Sequence, residues 1–171
     1  WSADFWPKWY ADWKSHALTL RRSENDHVET GAPPIKTEKG WIFFYSYIVN
    51  YYGGGPRVFG VEAALLDLKD PLKVIGRTYP FFVPQEIYEQ YGLVPDIVFP
   101  TSAIVNDDKI DLYYGAADTV CAKVTLKMRD LLATLDANGH MKALARAPQN
   151  PILEPQDDFE KIAVFADTGD H

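Results

Sequence analysis

The chain has 171 residues, 47% of them apolar, which is enough for one domain with a real hydrophobic core. A formal net charge of -7 argues against nucleic acid or an anionic membrane as partner, and no stretch approaches the ~18 apolar residues of a membrane-spanning helix. The lone Cys121 excludes an internal disulfide and a cysteine-based zinc site, and between Val120 and Ala122 it reads as a buried strand thiol.

The first 22 residues are rich in tryptophan, with Trp6, Trp9 and Trp13, and close on the strand-like Ala17-Leu18-Thr19-Leu20. Segment 23–32 is polar and ends in Gly31. Residues 33–49 predict a hairpin: Pro33-Pro34-Ile35-Lys36 leads in, Thr37-Glu38-Lys39-Gly40 turns, and a long aromatic run follows from 41 to 49. Gly53-Gly54-Gly55-Pro56 makes 51–57 a loop. An apolar strand over 58–68 ends at Asp70-Pro71, since proline cannot continue it, and 73–77 is a further short strand. Segment 92–105 carries apolar runs broken by Pro95 and Pro100. The turn Asn106-Asp107-Asp108-Lys109 joins it to a strand over 110–114, and 119–128 alternates in the same way. Only 129–135 has a helical pattern, of a turn or two.

Two parts of this string recur. The apolar lead-in, polar turn and aromatic strand of 33–45 return about 69 residues later as 102–115. Phe81-Phe82-Val83-Pro84-Gln85-Glu86-Ile87-Tyr88-Glu89 returns about 71 residues later as Ile152-Leu153-Glu154-Pro155-Gln156-Asp157-Asp158-Phe159-Glu160. Units of four short strands repeating every ~60–70 residues suit a β-propeller better than a sandwich. The expected fold class is therefore all-β, with two to three blades: a partial propeller over 1–135, a linker over 136–149, and the start of a further blade-like repeat over 150–171. That count does not close a ring, so the open edges call for self-association or a further portion of chain to cover them.

Four motifs, in order, resemble glycoside hydrolase family 130. They are Gly31-Ala32-Pro33-Pro34-Ile35-Lys36-Thr37-Glu38-Lys39-Gly40-Trp41, then Ala63-Ala64-Leu65-Leu66-Asp67-Leu68-Lys69-Asp70-Pro71, then Val94-Pro95-Asp96-Ile97-Val98-Phe99-Pro100, and Tyr113-Tyr114-Gly115-Ala116-Ala117-Asp118-Thr119. The resemblance implies a five-bladed propeller acting on β-mannosides, of which this chain carries the C-terminal half. Most characterised members are phosphorylases that cleave with inorganic phosphate; others are inverting β-mannosidases, notably on β-1,2 linkages. The family's general-acid aspartate lies in the N-terminal half and matches no residue here.

The resemblance also marks candidate residues. Glu29 and Glu62 stand where phosphorylases carry small residues, and an inverting hydrolase needs a carboxylate base to activate water opposite the leaving group. The alternative reading makes Glu29 a turn cap and Glu62 a solvent-facing edge residue. Tyr45 is followed by Ser46 where phosphorylases place a phosphate-holding histidine. Lys36 matches the family's phosphate-binding lysine; it also reads as a hairpin surface lysine, or in a hydrolase as a partner of Glu29 or Glu62. Asp118 matches a ligand of sugar hydroxyls, a task that suits a carboxylate because it accepts several protons at once, with turn capping as its alternative. Tyr114 offers a ring or hydroxyl to the sugar, or packs the core. His27 orients substrate or water, or is an exposed loop residue.

The expected function is inverting hydrolysis of β-mannosides, β-1,2-linked manno-oligosaccharides above all. One alternative is phosphorolysis, with inorganic phosphate as co-substrate, of manno-oligosaccharides or a β-1,4-mannosyl-glucose. The other is a non-catalytic carbohydrate-binding propeller fragment. Neither cofactor nor metal is expected: there is no paired-histidine motif, nucleophile elbow or phosphate-cradling loop. No signal peptide is visible, so the expected location is cytoplasmic, with periplasmic or secreted locations left open.

Overall fold

A computed structural model of the chain describes residues 3–136 and the backbone of Ile162–Phe165. Residue alternation writes the first sheet. Along Trp41–Val49 (β3), Ile42, Phe44, Ser46 and Ile48 point to one face and Trp41, Phe43, Tyr45 and Tyr47 to the other. Apolar rings on both faces ask for cover on both sides. One edge of β3 pairs antiparallel with His27–Thr30 (β1) and Ile35–Lys36 (β2), the other with Val58–Leu66 (β4), and Val74–Arg77 (β5) closes the sheet beyond β4.

The second sheet runs Val98–Asn106 (β6), Lys109–Ala116 (β7), Val120–Lys127 (β8) and Ile162–Phe165 (β9), in that spatial order and antiparallel throughout. The two sheets pack face to face. Ile42, Phe44, Val61, Ala63 and Leu65 of the first meet Val98, Ile110, Leu112, Tyr114, Val124 and Leu126 of the second in one apolar core. Leu131 and Leu135 of Met128–Asp136 (α3) complete it. On the far face of the first sheet, Tyr45, Tyr47, Ala64 and Leu66 pack with Leu20. A sheet covered on both faces is what a blade inside a propeller ring requires.

Gly31 sits where its own sheet and Pro100 of the second sheet leave no room for a side chain. A Cβ there would stand 2.5 Å from the Phe44 carbonyl oxygen and 2.7 Å from Pro100 Cγ, so only glycine fits.

Several elements differ from expectation, each for a physical reason. The tryptophan-rich start is helical: Phe5–Ala11 (α1) is followed by a 3-10 turn, Trp13–His16. Its signal was the i, i+3, i+7 spacing of Trp6, Trp9 and Trp13, with Pro7 tolerated in the first turn, where its missing N–H goes unneeded. The polar segment 23–32 holds β1, and Ile87–Gln90 (α2) is a single turn closed by a capping box between Glu86 and Glu89. Pro100 does not break β6: it lies on an edge strand, where its missing donor is harmless, and the pairing shifts register between Pro100 and Ser102. Cys121 is exposed rather than buried, because Val120, Ala122, Val124 and Leu126 take the inward positions of β8. The expected linker, from residue 137, and the expected further repeat lie outside the described residues except for β9, which pairs with β8.

Candidate functional site

Strand register separates the two acids singled out by sequence. Glu29 pairs with Ser46 across β1 and β3, and Glu62 pairs with Tyr45 across β3 and β4. Paired residues share a face, and Tyr45 and Ser46 alternate, so Glu29 and Glu62 project from opposite faces of one sheet. They cannot serve one water molecule together.

Glu62 is fully enclosed, at 0% exposure. Its Oε1 accepts from Arg22 Nη1 at 2.7 Å, and its Oε2 accepts from Arg22 Nη2 at 2.6 Å and from the Tyr45 hydroxyl at 2.7 Å. The guanidinium lies between the rings of Tyr47 and Tyr79, 4.3 and 4.6 Å from their centroids, and gives a further bond to the Thr78 carbonyl at 3.1 Å. Burial pushes the Glu62 carboxyl above the ordinary glutamate value, against the pull of Arg22 and Tyr45. The Tyr45 hydroxyl is raised by burial and then by the Glu62 charge. For Arg22, burial acts downward, but the Glu62 pairing outweighs it and the net shift is up. The arrangement is a compensated, planar two-bond ion pair with no carboxylate oxygen left open to water.

Glu29 is different. It lies on an edge strand of the first sheet with its side chain 38% exposed, its Oε1 3.4 Å from His27 Nε2. His27 and Glu29 are two apart on one strand and share a face. The His27 ring stacks on Tyr51 at 4.6 Å and meets Tyr52 edge-on at 5.7 Å, and Arg57 caps Tyr51 at 4.9 Å. Ser46 shares the Glu29 face and is enclosed in the seam between the sheets, its hydroxyl 3.4 Å from the Val98 carbonyl.

From Val98 the second sheet leads to Asp118. Val98 pairs with Ala116, and the Thr119 N–H closes a turn onto the Ala116 carbonyl at 3.0 Å. Ala117 and Asp118, at φ 45° and 51°, take the two left-handed positions of a type I′ turn. Buried Ala117 ties the turn down, receiving from Val94 N–H and donating to the Ile97 carbonyl, which leaves Asp118 exposed at the tip. Glu29 and Asp118 therefore stand at the same end of the seam, one on each blade. Exposed carboxylates beside aromatic faces can accept sugar hydroxyls and pack against the C–H faces of a pyranose.

The other candidates lie elsewhere. Lys36 is exposed at the opposite end of β3, its Nζ 5.6 Å over the Trp41 ring, while Glu29 and Glu62 are engaged by His27 and Arg22. Tyr114 is buried: its hydroxyl donates to Glu89 Oε1 at 2.6 Å and its ring meets Phe82 at 4.7 Å. Burial, then Glu89, drives that hydroxyl's pKa upward, and Glu89 Oε2 also accepts the Gln85 and Glu86 N–H groups at 2.7 and 2.9 Å. Tyr114 thus has no open surface toward a ligand. Among the described residues no three His, Cys, Asp or Glu side chains gather into a metal site.

Sequence reasoning did not single out Arg22, Tyr51, Tyr52 or Arg57. For Arg22 no local signal existed, because its partner is 40 residues away in the chain. For the tyrosines the signal was an aromatic pair beside a run of three glycines.

The model of the beta-1,4-mannooligosaccharide phosphorylase family matches residues 19–135. The chain is 38% identical over 125 residues to the 1,2-beta-oligomannan phosphorylase of Thermoanaerobacter sp. (strain X514), covering 70% of this chain and 40% of that protein. Its fold matches the beta-1,2-mannobiose phosphorylase of Listeria innocua, solved with beta-1,2-mannobiose, at a TM-score of 0.60 and 38% identity over 68% of this chain and 33% of that one. A further solved structure, with a TM-score of 0.53 and 31% identity over 60% of this chain and 30% of its own, is described by the finding that mannoside phosphorylases of this kind include glycoside hydrolases targeting beta-1,2 mannosidic linkages in Candida mannan. The solved relatives are five-bladed β-propellers, and the two sheets are a part of that architecture. The chain spans about 40% of the length of the curated Thermoanaerobacter relative.

Proposed function

Because the chain belongs to glycoside hydrolase family 130, we propose that it forms part of an enzyme that cleaves β-mannosides by phosphorolysis, with inorganic phosphate accepting the mannosyl group. The observation that carries this reading is the match of a phosphorylase family model across 19–135, joined by two relatives named as phosphorylases at 38% identity. Those relatives lend no support to the hydrolysis expected from sequence. In the proposed reaction a phosphate oxygen attacks the anomeric carbon from the face opposite the departing glycosidic oxygen, and an acid protonates that oxygen. Asp118 and Glu29 hold sugar hydroxyls at the end of the seam. Arg22 takes no part in phosphate capture, because its guanidinium is committed to Glu62.

One observation favours a second reading, hydrolysis with inversion. At the seam the accessible acids are the carboxylates of Glu29 and Asp118, and Glu29 is backed by enclosed Ser46 rather than a cation. A carboxylate there repels phosphate and suits a base that activates water. In that reading the base is Glu29, since Glu62 has no open oxygen.

Incubation with β-1,2-mannobiose, with and without phosphate, decides between them. Mannose 1-phosphate formed only when phosphate is present supports phosphorolysis. Equal release of mannose in both tubes sinks it in favour of hydrolysis. Saturable sugar binding without turnover in either tube points to the non-catalytic binding fragment instead.

A further inference from the structure

We propose that the loop between β3 and β4 carries a saccharide subsite of its own, outside the point of cleavage, with the Tyr52 ring as its platform and His27, Tyr51 and Arg57 holding that ring in place. The proposal rests on the reading that the substrate is a manno-oligosaccharide.

Tyr52 is 61% exposed, yet it is held on several sides. Its N–H donates to the Asn25 carbonyl at 2.9 Å, its hydroxyl stands 3.3 Å from His27 Nδ1, and its ring meets Tyr51 edge-on at 4.9 Å. Tyr51 is in turn stacked against His27 and capped by Arg57. A large ring fixed in this way loses little conformational freedom on binding, which is the property that makes tyrosine effective at binding surfaces.

The loop leaves room beside the ring. A Cβ added to Gly54 would meet nothing within 4 Å, and at Gly53 and Gly55 the nearest atoms belong to the side chains of Asn50 and Asn25. Open backbone next to an exposed aromatic face suits a flat ligand with an apolar side, and a pyranose presents one in its axial C–H face. The cluster is also continuous with the seam. His27 touches Tyr51 and Tyr52 on one side and Glu29 on the other, so consecutive sugars of one chain would run from the carboxylate at the seam to the ring on the loop. A disaccharide that occupies the two positions on either side of the cleaved bond leaves the Tyr52 ring to a third unit. The ligand class is therefore a neutral manno-oligosaccharide of three or more units.

The test is titration calorimetry of the intact chain with β-1,2-manno-oligosaccharides of two, three and four units, comparing wild type with Tyr52→Ala and Tyr52→Phe. The ratio of tetrasaccharide to disaccharide affinity is expected to fall about tenfold in Tyr52→Ala, the scale of one lost aromatic contact, and to stay near wild type in Tyr52→Phe, which keeps the ring. An unchanged ratio in Tyr52→Ala, with the melting temperature preserved, overturns the subsite. So does a loss that is equal for all three lengths, which marks Tyr52 as a brace for the loop. If wild type binds no length of sugar, the subsite is likewise overturned. Turnover of the disaccharide with and without phosphate is read separately, so a length-dependent loss of binding in a protein that turns nothing over keeps the subsite while rejecting the enzymatic reading.

Discussion

Arg22 and Glu62 decide more about this protein than either does alone. Glu62 sits in the middle of β4, where a lone carboxylate would cost several kcal/mol of desolvation. Arg22 compensates it with two short parallel hydrogen bonds and is itself sandwiched by Tyr47 and Tyr79. Removing one partner leaves the other charge buried, so Arg22→Met is expected to destabilise by about 3–5 kcal/mol. The double variant Arg22→Met/Glu62→Leu is expected to recover most of that loss, since apolar replacement of both partners is often nearly neutral. Urea unfolding of the two variants checks this, and a double variant no more stable than the single one would remove the ion pair as the explanation. The sequence made Glu62 conspicuous as an acid in an apolar strand. It carried no sign that the acid was already answered by an arginine 40 residues earlier.

Among the elements, the second sheet shows how a single side chain ties strands together. Asp111 of β7 accepts from Thr125 of β8 at 2.6 Å and from Asn106 of β6 at 2.9 Å, with Lys123 of β8 at 3.6 Å. The Thr125 hydroxyl, helped by Lys123 and Asn106, holds its carboxyl below the ordinary aspartate value. A folded-state pKa below the unfolded one contributes stability that is fully present above the ordinary value, ~3.9, and is lost as pH falls through the folded value. Melting temperature is therefore expected to drop more steeply between about pH 5 and pH 2 in wild type than in Asp111→Asn. Parallel curves would show that Asp111 contributes nothing to acid sensitivity. Most strands at this scale were legible from alternation alone, because β3, β4, β7 and β8 bury apolar side chains at every second position or more. The helix α1 and strand β1 were not. A helix of seven residues with none of them buried leaves too short a period to read, and a four-residue strand with one apolar residue has no period to detect.

In the whole molecule, the seam between the blades sets Glu29 and Asp118 at the same end, and Gly31 constrains how tightly that seam closes. Its constraint is steric, since a Cβ would press on Phe44 and Pro100. Gly31→Ala is expected to cost about 1–3 kcal/mol by forcing the sheets apart, and to weaken manno-oligosaccharide binding at the same time. Denaturant unfolding and calorimetric titration of that one variant test both effects; lost stability with full affinity would separate the seam from the sugar site. The sequence by itself determined the all-β class, the repeating blade, the family, and the residues that stand out as acids in the wrong company. These properties are written in short-range pattern, in alternation, turn chemistry and ordered motifs. Only the tertiary structure decided which acid stays accessible to solvent. Facing depends on register, and register pairs Glu62 with Tyr45 and Glu29 with Ser46, one residue apart and so on opposite sides of a sheet. No local pattern encodes that difference, and it turns two equivalent candidates into one buried partner of Arg22 and one carboxylate open to solvent.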